Sequence, residues 1–157
     1  TQARTASYGL PAYEISNHAR PGQESRHNLT YWRYGEYAGI GPGAHGRLLI
    51  GGVRHATAAE KMPFKWWEKV VETGDGLVND DNLTWDEEGD EYLVMGLRLR
   101  EGIDPNRYRA LARRPLTELQ IAHLMDIGFI ETLPNGRLRV TEKGWPVLDA
   151  VVADLAA

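Results

Sequence analysis

The segment that most constrains the fold of this chain is YEISNHARPGQESRHNLTYWRYGEYAGIGPGAHG, which runs from Tyr13 to Gly46. It contains three of the five histidines and four of the seven tyrosines, and it ends in a glycine-rich turn. Glycine adopts backbone conformations that other residues avoid, so such turns interrupt regular elements. We therefore predict short strands and ordered loops for the first half of the chain.

Composition excludes several classes of protein. The 157 residues are 42% hydrophobic and 25% charged, as in a folded globular domain. No apolar run approaches the roughly 18 residues of a membrane span, and no basic and apolar leader opens the chain. The absence of cysteine excludes disulfides and thiolate metal sites within these residues. A cytoplasmic protein is the default expectation, and the opening TQARTASYGL, which lacks a start methionine, suggests a piece of a longer protein.

The net charge of −4 is unevenly distributed. Residues 1–80 contain nine lysines and arginines against eight aspartates and glutamates, whereas residues 81–157 contain nine against fourteen. Nucleic acids are bound through surplus positive charge, so the acidic second half argues against a nucleic-acid partner. The helix predicted after Thr117 agrees with this, because no lysine or arginine lies between Thr117 and Gly128.

Local signals divide the second half into three helices, a hairpin and a last helix. Capping boxes, a proline at one helix start and terminal glycines predict helices over residues 86–100, 105–112 and 117–128. Pro134-Asn135-Gly136 predicts a hairpin, and Thr141 is expected to cap a last helix that Pro146 kinks. This order of elements is typical of a winged-helix-like module.

Shorter elements are predicted in the first half. Gly39–Gly43 is expected to be a buried strand end that turns on glycine. Gly51-Gly52 is a two-residue hairpin signal between two short strands. From Pro63 to Gly74 the apolar residues recur with a helical period and share one face, and Trp66-Trp67 is interpreted as core.

The turn from Gly41 to Gly46 matches the pattern GxGxxG. A dinucleotide site would need a helix beginning at this turn, so that its N–H groups meet a pyrophosphate. Residues 47–52 are instead strand-like and soon interrupted by glycine, which argues against a dinucleotide. Two interpretations remain open: a strand end whose glycines let a ligand approach the backbone, and a plain tight turn.

The residues around His27 place an imidazole among an amide, a phenol and an indole. His27 could ligate iron or another metal, with Tyr31 and Trp32 as an aromatic wall. The alternative is a hydrogen-bonded structural histidine. No HxH or HExxH partner stands nearby, so a zinc or iron site built from protein ligands alone is not expected.

These residues resemble one family. The segment YEISNHARPGQESRHNLTYWRYGEYAGIGPGAHGR is similar to the C-terminal portion of the radical-SAM proteins related to oxygen-independent coproporphyrinogen III oxidase. Its HNxxYW element matches the branch regarded as haem chaperones. The resemblance extends to EYLVMGLRLREGI at 91–103 and to the winged-helix-like tail at 117–155. It implies an α+β fold, with strands of a partial (β/α) barrel over residues 1–58 and a mostly helical, winged-helix-like domain over residues 59–157.

The resemblance also implies cofactors. The complete family protein has an upstream CxxxCxxC motif that binds a 4Fe–4S cluster, and S-adenosylmethionine completes the coordination of the fourth iron. In the oxidase, the resulting 5′-deoxyadenosyl radical leads to oxidative decarboxylation of propionates to vinyl groups in haem biosynthesis. In the chaperone, haem is bound and passed to a client protein. Because the present residues contain no cysteine, no catalytic residue is expected among them.

Site residues are assigned through the same resemblance. The residues that match the last barrel strand, beside S-adenosylmethionine, are Gly41, Pro42, Gly43, Ala44 and His45. The residues that match the haem-associated element are His27, Asn28, Tyr31 and Trp32. Among these, His27 is assigned as the ligand of the haem iron.

The function that these assignments imply is that of a haem chaperone with haem and a client protein as partners. Two alternatives remain: genuine coproporphyrinogen III oxidation, and a winged-helix interaction module without a tetrapyrrole. Barrel strands separated from their neighbours have unpaired edges, so these residues are expected either to pair with a second copy, as a dimer or by a swapped exchange, or to pack irregularly on the helical domain.

Overall fold

The computed structural model describes residues 2–157 as a mixture of helices and antiparallel sheet, so the predicted α+β class is confirmed. The elements, in chain order, are α1 (Gln2–Ser7), α2 (Arg26–Trp32), β1 (His45–Ile50), β2 (Val53–Ala59), α3 (Pro63–Thr73), β3 (Leu77–Asn82), α4 (Trp85–Gly96), α5 (Pro105–Ala112), α6 (Glu118–Asp126), β4 (Ile130–Thr132), β5 (Leu138–Val140), a 3-10 turn (Trp145–Val147) and α7 (Leu148–Ala156).

The chain forms two compact units. The larger unit comprises the chain up to Tyr34 together with Trp85–Ala157, and the smaller unit is Gly35–Thr84. The larger unit therefore contains both α2 and all the elements from α4 onwards. The boundary expected between residues 58 and 59 separates the barrel strands from the helical domain of the complete family protein, and it stays a prediction.

The smaller unit is a three-stranded antiparallel sheet in the order β1-β2-β3, with α3 between β2 and β3. Ile50 pairs with Val53 across Gly51-Gly52, whose φ angles of 60° and 85° suit a type I′ turn. The predicted hairpin is therefore confirmed. Strand β3 was not predicted, because its sequence LVNDDN is largely polar and lacks an alternating apolar pattern.

Two predictions for the smaller unit are wrong. Gly39–Gly43 is a turn and not a buried strand end, and Ile40 within it is 89% exposed. Gly41 has a φ of 102°, which interrupts an extended strand. Helix α3 does begin at Pro63 and end before Gly74, but its apolar face is not core. Only Trp66 of the tryptophan pair is half-buried, since Trp67 is exposed.

The larger unit confirms the predicted order of three helices, a hairpin and a last helix. Helix α4 ends at Gly96 and not near Arg100, because the chain turns after it. Thr117 is the N-cap residue of α6, but its side chain makes no capping hydrogen bond, so that predicted capping box does not form. After Thr141 a turn and the 3-10 turn containing Pro146 precede α7, so the last helix begins later than predicted.

An apolar core unites helices α4 to α7 and the β4–β5 hairpin of the larger unit. Helix α4 contributes Tyr92 and Leu93, which are 2% and 0% exposed. Further fully buried members of this core are Leu97, Ile103, Tyr108 and Leu155. Burying one such side chain contributes about 1.5–3 kcal/mol, so this cluster is the main source of stability of the unit.

A glycine at the junction of α4 and the β4–β5 hairpin gives a test of this packing. Gly102 has a φ of 65°, and a Cβ there would overlap the carbonyl oxygen of Leu138. Ile103 N–H also donates to that oxygen, at 2.8 Å. We expect Gly102→Ala to lower the free energy of unfolding by at least about 3 kcal/mol, through backbone strain and steric overlap together.

The matched control is Gly136→Ala in the hairpin turn. Gly136 has a similar φ of 79°, but a Cβ there meets no atom within 4 Å. Gly136→Ala should therefore lower the free energy of unfolding only by the cost of the left-handed backbone conformation, about 1–2 kcal/mol. Urea unfolding measures both variants, and equal losses would contradict the packing described here.

Candidate functional site

The HNxxYW residues lie together on helix α2 of the larger unit. Ser25 caps the helix, since its hydroxyl accepts a hydrogen bond from the Asn28 N–H at 3.3 Å. His27 and Tyr31 are four residues apart and so lie on one face. The Tyr31 hydroxyl is 2.8 Å from His27 Nε2, and the two rings meet edge to face with centroids 4.7 Å apart. The structure thus brings an imidazole and a phenol together.

His27 is exposed, whereas the other three predicted residues of the element, Asn28, Tyr31 and Trp32, are half-buried. The Asn28 side-chain amide donates a long hydrogen bond of 3.5 Å to the Tyr13 hydroxyl. Trp32 lies under the guanidinium of Arg98, which is 5.4 Å from the ring centroid. The predicted aromatic wall is therefore split, with Tyr31 beside the imidazole and Trp32 packed among arginines.

The other two histidines of the first segment have different surroundings. His18 is half-buried, and its Nε2 is buried without a hydrogen-bond partner among the described residues. His45 is exposed at the start of β1, in the smaller unit. Neither has a phenol hydroxyl within hydrogen-bond distance in the part of the chain that is described, so the imidazole–phenol pair distinguishes His27.

The end of α2 is fixed by groups that the sequence analysis did not single out. Arg107 from α5 donates to the carbonyl oxygens of Arg33 and Tyr34, at 2.7 and 3.0 Å. Arg33 in turn donates to both carboxylate oxygens of Glu101, at 2.9 and 2.7 Å. The hydrogen bond from Arg33 holds the pKa of Glu101 below its usual range, although partial burial opposes this shift. No sequence periodicity indicates these contacts, because the partners are far apart in the chain.

Arg137 and Arg139 alternate with apolar residues on the hairpin, a pattern typical of a solvent-exposed strand face, but both side chains make contacts within the larger unit. Arg137 Nε donates to the carbonyl oxygen of Glu101 at 2.8 Å, and its Nη2 donates to that of Gly102 at 2.5 Å. Arg139 pairs with Glu131 across the hairpin at 2.8 Å. Arg137 thus connects β5 to the turn after α4.

The second predicted site, Gly41–His45, lies in the smaller unit. Gly43 N–H donates to the Glu60 carbonyl oxygen at 2.8 Å, which fixes the turn against the end of β2. A Cβ at Gly41 would meet no atom within 4 Å, and one at Gly43 would only reach Lys61, at 3.8 Å. Both glycines therefore leave open space beside the backbone. The remaining members of this predicted site, Pro42 and Ala44, are exposed and half-buried.

The glycines that close packing requires are those on either side of this turn. A Cβ at Gly39 would overlap the carbonyl group of His45, and one at Gly46 would overlap the Thr57 hydroxyl. The two site predictions concern different compact units, with His27 in one and the glycine turn in the other.

Two further properties concern residues 2–157. They contain no cluster of three or more histidine, aspartate or glutamate side chains that could bind a metal ion. None of their helices combines the length and apolar character that a membrane crossing needs.

Comparisons with known proteins identify a matching family model and several relatives of the chain. Residues 83–147 match the family model of the HemN C-terminal domain. The chain is 42% identical over 159 residues to "Radical S-adenosyl methionine domain-containing protein 1, mitochondrial" of Mus musculus, covering 94% of this chain and 35% of that protein. It is 35% identical over 126 residues to "Heme chaperone HemW" of Bacillus subtilis (strain 168), covering 80% of this chain and 32% of the relative.

Among solved structures, coproporphyrinogen III oxidase (HemN) from Escherichia coli, described as a radical-SAM enzyme, matches with a TM-score of 0.68 at 17% identity. The match covers 99% of this chain and 39% of that structure, and it shows a shared fold. The chain spans about a third of the length of the curated relatives that it matches. Together these matches confirm the resemblance recognised in the sequence: the chain belongs to the family of radical-SAM proteins that includes HemN and the haem chaperone HemW.

Proposed function

We propose that the protein is a radical-SAM haem chaperone that binds haem at helix α2 and passes it to a client protein. The observation that supports this most is the pair of His27 Nε2 and Tyr31 hydroxyl, 2.8 Å apart on one helix face. Imidazole and phenolate are both known axial ligands of haem iron. Relatives named heme chaperones are 31–35% identical to the chain, which supports the same function.

The chemistry of the pair suits a cargo that must be released. The Tyr31 hydroxyl forms a hydrogen bond with Nε2 of His27, which gives the imidazole a defined orientation on α2. Iron that binds Nε2 takes the place of this hydrogen bond, and the proton of the ring then resides on Nδ1. Because His27 is exposed, its iron would remain open to attack by a ligand from the client.

The proposal includes a role for Gly41–His45 in the intact protein. There, an upstream cluster-binding motif would complete a partial (β/α) barrel, to which residues 1–58 contribute, and this turn would lie beside S-adenosylmethionine. The open space at Gly41 and Gly43 supports close approach of a ligand to the backbone. The sheet β1-β2-β3 is antiparallel, so it does not itself supply the parallel strands of such a barrel.

The proposal also includes a winged-helix-like domain over residues 59–157. The order α4, α5, α6, β4, β5 and α7 supports it.

The first prediction concerns the haem ligand. In a haemin titration of the 157-residue chain, we expect His27→Ala to weaken binding by about tenfold or more, equivalent to about 1.4 kcal/mol or more, through loss of an axial ligand. The Soret band measures binding, and the far-UV circular dichroism shows whether the variant is folded. His45→Ala is the matched control, because His45 is also exposed, and it should bind haemin as the wild type does.

Normal haemin binding by His27→Ala, with a loss in His45→Ala, would refute the ligand assignment. Conversion of coproporphyrinogen III to a vinyl product by the intact, cluster-loaded protein would favour the oxidase over the chaperone.

The second prediction concerns the glycine turn in the intact protein. Gly43→Val should weaken S-adenosylmethionine binding, because a branched side chain would fill the space that the cofactor needs. Gly51→Val is the control, since Gly51 has a similar φ of 60° and open surroundings but lies in the hairpin turn. Both variants have the same backbone strain, so thermal melts should agree while calorimetric titration separates them. Equal affinities for S-adenosylmethionine would show that the turn is only structural.

A further inference from the structure

The larger unit contains a cavity of about 260 Å³ at the end of α2 that the haem proposal does not use. Arginines from three separate parts of the chain line it: Arg33 after α2, Arg107 on α5 and Arg137 before β5. Among the described residues of its wall, Glu101 contributes the one carboxylate. Three guanidinium groups against one carboxylate give the wall an excess of two positive charges.

Hydrogen bonds within the unit orient these guanidinium groups but neutralise only one of them. Arg33 donates to both carboxylate oxygens of Glu101, at 2.9 and 2.7 Å. Arg137 donates to two carbonyl oxygens of the turn after α4, and its Nη2 is 3.7 Å from the Glu101 carboxylate. Arg107 also donates to two carbonyl oxygens, and it pairs with no carboxylate in the described part of the chain. A carbonyl group orients a guanidinium without removing its charge, so the excess charge is fixed in position.

Each guanidinium retains a donor nitrogen for a ligand from solvent. A guanidinium has five N–H groups on three nitrogens, and hydrogen bonds within residues 2–157 use two nitrogens of each. The nitrogens without an acceptor there are Nη1 of Arg33, Nε of Arg107 and Nη1 of Arg137. The side chains of Arg33 and Arg137 are 52% and 29% exposed, and Arg107 is exposed as well. A small ligand can therefore reach all three groups.

The charge and the size of the cavity indicate the class of ligand. A phosphate monoester carries about −1.5 to −2 charges at pH 7 and has three strong acceptor oxygens. This matches the excess charge and the three donor nitrogens, whereas a carboxylate offers one charge and two oxygens. The planar fork of arginine also suits phosphate oxygens. Pockets for whole drug-sized molecules measure about 300–1,000 Å³, so this cavity suits a phosphate group with a short substituent.

We infer that this cavity binds a small phosphate monoester through Arg33, Arg107 and Arg137. The inference does not depend on the haem proposal, because the cavity lies away from the α2 face that carries His27 and Tyr31. On a helix with 3.6 residues per turn, Arg33 is roughly 120° around the axis from His27.

The test titrates the 157-residue chain with methyl phosphate at constant ionic strength and follows the arginine Nε–H signals in a ¹⁵N–¹H spectrum. Arg107→Lys identifies the Arg107 signal, which methyl phosphate should shift in a saturable way. Dimethyl phosphate has a single charge and should bind about tenfold more weakly or less. Lysine keeps the charge but loses the planar fork, so Arg107→Lys should also weaken binding of methyl phosphate.

Glu101→Gln is the decisive variant, because it should strengthen binding. It removes the negative charge from the wall at nearly constant side-chain size, so the affinity for methyl phosphate should rise about threefold or more. Loss of stability cannot produce a tighter complex, and a thermal melt shows whether the variant is folded. Glu131→Gln is the matched control, since Glu131 also pairs with an arginine but lies outside the cavity, and its affinity should be unchanged.

Three results would each overturn the inference. They are the lack of a saturable shift with methyl phosphate, equal binding of methyl and dimethyl phosphate, and an unchanged affinity in folded Glu101→Gln. Each of them leaves the haem proposal standing, because none of these measurements involves a porphyrin.

Discussion

The position of helix α2 depends on one interaction, the pair of hydrogen bonds from the Arg107 guanidinium to the carbonyl oxygens of Arg33 and Tyr34. Carbonyl groups at the end of a helix have no partner within the helix, and a planar cation that reaches two of them satisfies both and opposes the helix dipole. Tyr34 completes the anchor, since its ring is 3% exposed in the core and its hydroxyl donates to Glu91 at 2.9 Å. A helix of seven residues would be unstable in isolation, so this anchoring is what makes α2 a fixed platform.

The proposed haem-binding face of the larger unit follows from that platform. One face of α2 presents the imidazole and phenol of His27 and Tyr31, and its end contributes Trp32 and Arg33 to a cavity of about 260 Å³ that Arg107 and Arg137 also line. The exposed imidazole suits a protein that releases its cargo, whereas an enzyme that performs radical chemistry needs its substrate shielded from water.

Local signals in the sequence predicted the elements that local interactions determine. Pro105 and the Asp104 cap fix the start of α5, and Gly51-Gly52 fixes the first hairpin, because each acts within a few residues. Strand β3 was missed because its residues are polar and its partner, β2, determines its conformation. The apolar face of α3 was predicted correctly, but its exposure to solvent was not. Periodicity shows that residues share a face, but it does not show whether another element covers that face.

The contacts of the candidate site also fall into two groups, those set by local spacing and those that only the tertiary fold creates. The contact between His27 and Tyr31 follows from their spacing of four residues once α2 forms, but short strands and loops were predicted for this half of the chain, so neither the helix nor the contact was predicted. Arg107 and Arg137 could not be predicted, because they meet α2 and the turn after α4 across separations of 74 and 35 residues. The arginines are unremarkable in sequence, and only the tertiary fold gathers them around Trp32.

The central claim, that this helix binds haem iron, is tested most directly by a crystal structure of the chain grown with haemin and measured at the iron absorption edge. The anomalous difference map should show one iron within coordination distance of His27 Nε2, next to the Tyr31 hydroxyl. An iron bound instead at His45 or His18, or porphyrin absent from α2 in crystals that contain it elsewhere, would contradict the account.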